Sequence, residues 1–188
     1  MLGKVESPAK ARLVKKQRDS KPLHYTVCGL DEVYLINGFT VESIKSEGYV
    51  SIEDLDGLWK AIGLHLVTMR KALAPKEIRF LRQHMGLTQA GLATKLRVTD
   101  QTVARWEKGQ TDPGPADLAI RVQFLSSKMA QPEGEQLLPK LVKIFDEITH
   151  RDDTEPKIIM LERSKKKWKS DRASALMPAS PPVPVSLT

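Results

Sequence analysis

Residues 73–125, LAPKEIRFLRQHMGLTQAGLATKLRVTDQTVARWEKGQTDPGPADLAIRVQFL, decide how this 188-residue chain is read, because breakers and apolar spacings fall where consecutive short helices need them. Pro75 suits the first turn of a helix, where its missing N–H costs nothing and its fixed φ fits. Gly86 ends that helix. Between them Ile78, Leu81 and Met85 recur at three and four residues, one packed face, while Arg79, Arg82 and Gln83 are placed elsewhere on the circumference. Thr88 is an N-cap before Gln89, and Ala90, Leu92, Ala93 and Leu96 give a short second helix. Ala93 is small enough to let a third helix cross close by. Thr99 caps that third helix, which Gly109 ends at C′. Val103 and Trp106 share its inner face, so Asp100, Gln101, Ala104 and Arg105 point outward along an edge able to enter a DNA major groove. By the same spacing Trp106 is core rather than a stacking platform, and Glu107 is a structural partner for a basic side chain.

With those elements in place, GLTQAGLATKL (86–96) and VTDQTVARWEKG (98–109) are similar to the Xre family, the Cro and phage-repressor type of helix-turn-helix, over roughly residues 75–126. The resemblance implies a λ-repressor-like all-α domain that binds double-stranded DNA. It implies that Gln89 reaches a phosphate, helped by the helix dipole and free N–H groups, and that Gln101, Thr102 and Arg105 read bases. The side chains suit those roles: glutamine pairs with adenine, arginine with guanine, and the threonine methyl meets thymine. Asp100 either accepts from cytosine N4 or only favours the helix N-terminus. Arg97 stands where this family usually has glycine. Either the turn is strained, or it follows a different backbone path that offers Arg97 to a phosphate, and the second is the expectation. The full DNA-binding set is Thr88, Gln89, Arg97, Asp100, Gln101, Thr102, Arg105 and Lys108.

Outside this stretch, charge alternates along the chain. Residues 1–22 hold seven basic side chains against two acidic, residues 23–60 reverse this to two against seven, and residues 74–126 hold eight against five. The basic arm 1–22 is read as a source of nonspecific phosphate contacts. Within 23–72, Tyr25–Cys28 and Glu32–Ile36 have strand composition, and Asn37-Gly38 before Phe39–Val41 signals a hairpin through a type I′ turn. Tyr49–Ile52 adds a short strand. Glu53-Asp54 then opens a helix with Leu55, Leu58, Trp59, Ile62, Leu66 and Met69 at helical spacing, expected to cover the strands and lead directly into the helix-turn-helix.

After Asp117, the run Leu118, Ile120, Val122, Phe124 and Leu125 closes the helical domain, and Leu137–Ile148 gives a further amphipathic helix. Lys157–Leu161 reads as a late strand. The lysine- and proline-rich end, 163–188, is expected to be disordered. The expected organisation is therefore α+β: a basic disordered arm (1–22), a small β-hairpin and helix unit (23–72), a helix-turn-helix domain (73–127), a C-terminal helix and strand (128–162) and a disordered tail (163–188).

A helical regulator behind a small N-terminal unit resembles bacterial Xre-type regulators grouped with MqsA-type antitoxins. In the antitoxin itself that unit binds zinc through paired cysteines. This chain has one cysteine, Cys28, and four scattered histidines, which make no tetrahedral ligand set, so neither metal nor other cofactor is expected. Cys28 is read as a small buried hydrophobe. No apolar signal segment or membrane span is seen, and the expected place is the cytoplasm, at the nucleoid. No nucleophile elbow or phosphate-loop glycine pattern points to an enzyme. The functional expectation is a homodimeric transcriptional repressor reading an inverted repeat. The alternative is an antitoxin whose N-terminal unit binds a protein toxin.

Overall fold

A computed structural model describes residues 22–44, 47–128 and 158–170, together with 143, 146 and 147. The fold is α+β. Strands β1 (Leu23–His24), β2 (Val33–Leu35), β3 (Phe39–Ile44) and β4 (Glu47–Ile52) precede helices α1 (Leu55–Met69), α2 (Pro75–His84), α3 (Gln89–Leu96), α4 (Asp100–Glu107) and α5 (Ala116–Lys128). Strands β5 (Ile159–Ser164) and β6 (Lys167–Ser170) follow. Two sheets result, one ordered β1-β2-β5-β6 and the other the β3-β4 pair.

The sheet pairing departs from the sequence reading at Asn37-Gly38. The expected hairpin would lay β2 against β3. Instead β2 runs parallel to β5, with Val33 opposite Ile159 and Leu35 opposite Leu161. All four of these side chains are buried, so pairing two apolar strands far apart in sequence overrides the local turn signal. Asn37-Gly38 carries the chain from one sheet to the other. Asn37 Oδ1 accepts from Arg163 N at 2.6 Å, and Gly38 has φ 76. A Cβ at Gly38 would lie 2.6 Å from the Trp168 ring, so glycine is needed for both backbone and packing. The hairpin that does form is β3-β4, with Phe39 opposite Ile52.

Two further expectations change. Tyr25–Cys28 lies beyond β1, where Gly29 N closes a turn onto Thr26 O at 2.8 Å. The late strand expected over 157–161 forms as β5, inside the four-stranded sheet. The expected disorder from 163 onward is replaced, through Ser170, by β5 and β6. Trp168 explains this: it is buried and donates to Glu53 O at 2.9 Å and Asp54 O at 3.0 Å, so an indole among lysines has a place in the core. The basic arm up to residue 21, the helix expected over 137–148 and the tail beyond 170 fall outside the described residues, apart from 143, 146 and 147.

Helix α1 opens as expected. Asp54 is its N-cap, with Oδ1 accepting from Gly57 N at 3.0 Å. Leu58, Ile62, Gly63, Leu66 and Val67 are its buried residues, whereas Leu55 of the expected stripe is exposed. The helix packs on β5 and β6 and also on α2 and α5. Gly63 sets its approach to α5, because a Cβ there would sit 2.2 Å from the Phe124 ring. A single hydrophobic cluster extends from Val33 and Leu35 through Leu58 and Leu66 to Leu92, Val103 and Trp106.

The C-terminal end of α1 is secured by Arg121 on α5, which is 2% exposed. Its guanidinium donates to Val67 O at 3.1 Å and Arg70 O at 2.8 Å, with longer bonds to Leu66 O and Lys71 O, and pairs with Asp117. Val67 O is one of the carbonyls that a helix end leaves without an intrahelical partner, Arg70 O and Lys71 O follow just beyond it, and a cation also complements the negative end of the dipole. Asp117 in turn accepts from Leu73 N at 2.7 Å, fixing the link between α1 and α2. At the start of α2, Glu77 accepts from Ala74 N and from Arg70 Nε, each at 2.8 Å. Burial pushes the Glu77 carboxyl above its ordinary value, against the pull of Arg70.

Candidate nucleic-acid interface

The residues that hold α2, α3 and α4 together also define which faces remain free. Gly86 and Gly109 end α2 and α4 with φ 73 and 69, the left-handed C′ geometry expected of each. Thr88 caps α3 by accepting from Gly91 N at 3.0 Å, and Thr99 caps α4 by accepting from Thr102 N at 3.2 Å. Ala93 is 3% exposed on α3, which packs on α4. Val103 and Trp106 are core, as their spacing requires.

Glu107 is the ionic centre of the unit. Its carboxylate accepts from Arg82 Nε at 2.5 Å and Nη2 at 3.1 Å, and from Gln89 Nε2 at 2.9 Å, with Arg79 Nε at 3.5 Å. Arg82 also donates to Leu87 O at 2.7 Å. The group therefore ties α2, the α2–α3 turn, α3 and α4 to one carboxylate. Burial alone would raise the Glu107 pKa. The bonds from Arg82 and Gln89 and the two guanidinium charges outweigh burial and hold it below the ordinary carboxylate range. The expectation that Arg82 lies off the packed face is corrected: it is 9% exposed. Its spacing carried the signal, since Arg82 stands four residues after Ile78 on the same stripe.

Each expected DNA-binding residue has a definite place. Gln101, Arg105 and Lys108 are exposed along one side of α4, at intervals of four and three. Asp100 is exposed too, but Oδ1 accepts from Gln101 N at 2.8 Å, which commits that oxygen to the helix terminus. Thr102 is half-buried and its hydroxyl bonds that of Thr99 at 2.8 Å, leaving the methyl as its free part. Gln89 spends one amide hydrogen on Glu107 and retains a second donor. Beside it, the N–H groups of Gln89 and Ala90 open the helix, because those of Gly91 and Leu92 are taken by Thr88. Arg97 is exposed with φ 56 and ψ 41. The backbone thus keeps the left-handed path that suits glycine, not the alternative path expected from sequence. An arginine there costs about 1–2 kcal/mol, and its side chain still reaches solvent.

Among the described residues no carboxylate stands within ion-pair distance of Arg97, Arg105 or Lys108, and no His, Cys, Asp or Glu group is placed to hold a metal ion. Cys28 is buried, and burial raises its thiol pKa. No helix among these residues is long and apolar enough to cross a membrane.

A cationic edge with glutamine on a short helix, packed against a capped second helix, is the arrangement of a helix-turn-helix. Comparison with known families agrees: residues 78–120 match the family model described as Helix-turn-helix, the Xre and λ-repressor-like type, from within α2 to α5. That family is one of DNA-binding transcription regulators. No curated protein and no solved structure gives a match.

Proposed function

We propose that the protein is a sequence-specific double-stranded DNA-binding regulator, a homodimeric repressor that reads an inverted repeat through α4. The observation that carries this reading is the free edge of Gln101, Arg105 and Lys108 on a helix whose opposite side, Val103, Trp106 and Glu107, is buried. Base readout needs side chains held in register by a rigid support, and the Glu107 network supplies it. Gln89 and the open end of α3 supply phosphate anchoring, and Arg97 adds a charge beside the turn. One such helix reads only a few base pairs, and two copies on half-sites about one helical turn apart multiply the discrimination. In this reading the chain is a cytoplasmic binding protein, not an enzyme, and needs no cofactor. The antitoxin alternative gains no observation of its own, because the chain has a single cysteine and it is buried.

The test is a binding selection on random duplex DNA with the full chain at near-physiological salt, repeated with Arg105→Ala. The expected result is an enriched inverted repeat whose preference at one base pair is relaxed in the variant, a loss of about 1–3 kcal/mol there. Binding without enrichment that vanishes as salt rises would refute it.

A further inference from the structure

The β5–β6 connection is the one place among the described residues where two adjacent non-glycine residues have positive φ. Ser164 pairs with Lys167, so the loop is Lys165-Lys166, with φ 49 and 64. Two positive φ values in a two-residue hairpin loop make a type I′ turn, whose favoured residues are Asn-Gly because Cβ crowds the following carbonyl oxygen, which glycine avoids and asparagine offsets by local hydrogen bonding. Both lysines are exposed, and neither has a carboxylate within ion-pair distance among the described residues. Positive charge is thus kept at a position where an uncharged pair would fold more easily, and retained strain of this kind clusters at functional sites.

The turn projects from a fixed base. Trp168 is buried and bonded to Glu53 O and Asp54 O, Arg163 N is held by Asn37, and the Arg163 guanidinium pairs with Glu53. These bonds seat the hairpin at the N-terminal end of α1. That end lies beside the C-terminal end of α2: the Trp59 ring stands 6.0 Å from His84, and Asp56, Gly57 and Lys60 share a groove with Gln83 and Gly86. Thr88 and Gln89 follow two and three residues after Gly86. The base of the hairpin and Gly86, which leads into α3, thus both neighbour the first turns of α1.

We propose that the Lys165-Lys166 turn is a second phosphate-binding element, which meets the duplex backbone beyond the base pairs read by α4. The proposal rests on the DNA-binding reading above. Ammonium groups on flexible stems act as point charges and lack the planar fork that reads guanine, so their contact adds affinity and salt dependence without base preference. A hairpin already fixed in place loses little freedom on docking.

The test replaces the turn by its favoured residues, Lys165→Asn with Lys166→Gly, in the full chain. The melting temperature should stay or rise. The slope of log affinity against log salt on the selected duplex should become shallower by about 2, since each phosphate contact contributes about 0.9. Affinity should fall roughly tenfold or more at 0.1 M salt, with the preferred sequence unchanged. Lys165→Gln with Lys166→Gln should give the same slope without the gain in melting temperature. An unchanged slope together with a raised melting temperature would overturn the proposal and make the lysines plain solvated turn residues. Arg105→Ala, titrated in parallel, separates the two readings. If it blurs the preference while the turn variant leaves the slope intact, the second element alone fails. If the wild-type chain prefers no duplex, the DNA reading and this proposal fail together.

Discussion

Replacing Glu107 by leucine removes the one carboxylate among the described residues that compensates Arg82. The buried guanidinium is then left with Leu87 O, and the amide of Gln89 loses its acceptor. Breaking a buried pair from one side costs about 3–5 kcal/mol, because an uncompensated charge stays in the interior. Total stabilities run at about 5–15 kcal/mol, so this is a large fraction of the whole. Arg82→Met is milder, since Gln89 and Arg79 still face the carboxylate. Replacing both by apolar residues of similar volume removes both desolvation penalties and should return stability to within about 1 kcal/mol of wild type. Urea unfolding at pH 7, followed by far-UV circular dichroism across this double-mutant cycle, should give a coupling energy of about 3 kcal/mol. The sign with pH follows from the Glu107 carboxyl being held below its ordinary value. Its contribution is complete above the unfolded carboxylate range and is lost as pH falls through the folded value. Wild type should therefore lose stability relative to the double variant as the pH drops, and approach Glu107→Leu. Single variants that each cost under about 1 kcal/mol, or a double variant as weak as the two losses added, would refute the network as the brace of α4.

Two other perturbations read the structure independently. Arg97→Gly removes a left-handed strain of about 1–2 kcal/mol against the extra unfolded freedom of glycine, about 0.4–1 kcal/mol. The net should raise the melting temperature by about 2–4 °C at this chain size while lowering the salt slope of DNA binding by about 1. A lower melting temperature would contradict the φ 56 geometry. His84 is half-buried among Trp59, Phe80 and Phe124, and its Nε2 has no partner among the described residues. Burial first, then the Lys128 charge, lowers its pKa to about 4. From an unfolded value near 6.5 down to about 4, the unfolded chain binds a proton that the folded one does not, so stability falls as pH falls across that window. His84→Leu should flatten that fall, and urea midpoints that drop equally in both proteins would count against the buried neutral imidazole.

The helical unit was legible because its rules are local. Pro75, Thr88, Gly86, Thr99 and Gly109 each act within a turn of chain, and the Val103 and Trp106 spacing fixes the buried face without reference to anything distant. The site edge follows from that face, so the sequence alone places Gln101 and Arg105 outward. Polar burial was harder to see. Arg82 and Arg121 occupy apolar stripe positions, and a cation there reads as an interruption until its acceptor is known: Glu107 lies twenty-five residues from Arg82, and the α1 carbonyls about fifty from Arg121. The sheet was harder still. Asn37-Gly38 is a strong local hairpin signal, but no local rule tells Val33 and Leu35 to take partners from residues 159–161. Arg97 fell between these cases: the sequence showed a non-glycine where the turn wants glycine, and only the backbone shows that the turn kept its path.

That long-range pairing changes what the small sheet is. Parallel strands require a crossover of a dozen residues or more, and between β2 and β5 the chain makes the β3–β4 hairpin and α1, then the whole helix-turn-helix. The DNA-binding unit is thus inserted in the strand unit rather than appended to it. Helix α1 lies between them, packed on β5 and β6 and also on α2 and α5. Arg121 closes its end from the helical side, and Trp168 bonds the backbone at its start from the sheet side. A helix secured at both ends transmits orientation, so the direction of α4 is fixed relative to the sheet as well as to its own neighbours. In the proposed reading this makes the separation between the lysine turn and the end of α3 a property of the fold. A phosphate contact made at the turn adds to the one at α3 without a base being read, so the sheet contributes affinity and leaves the choice of sequence to α4.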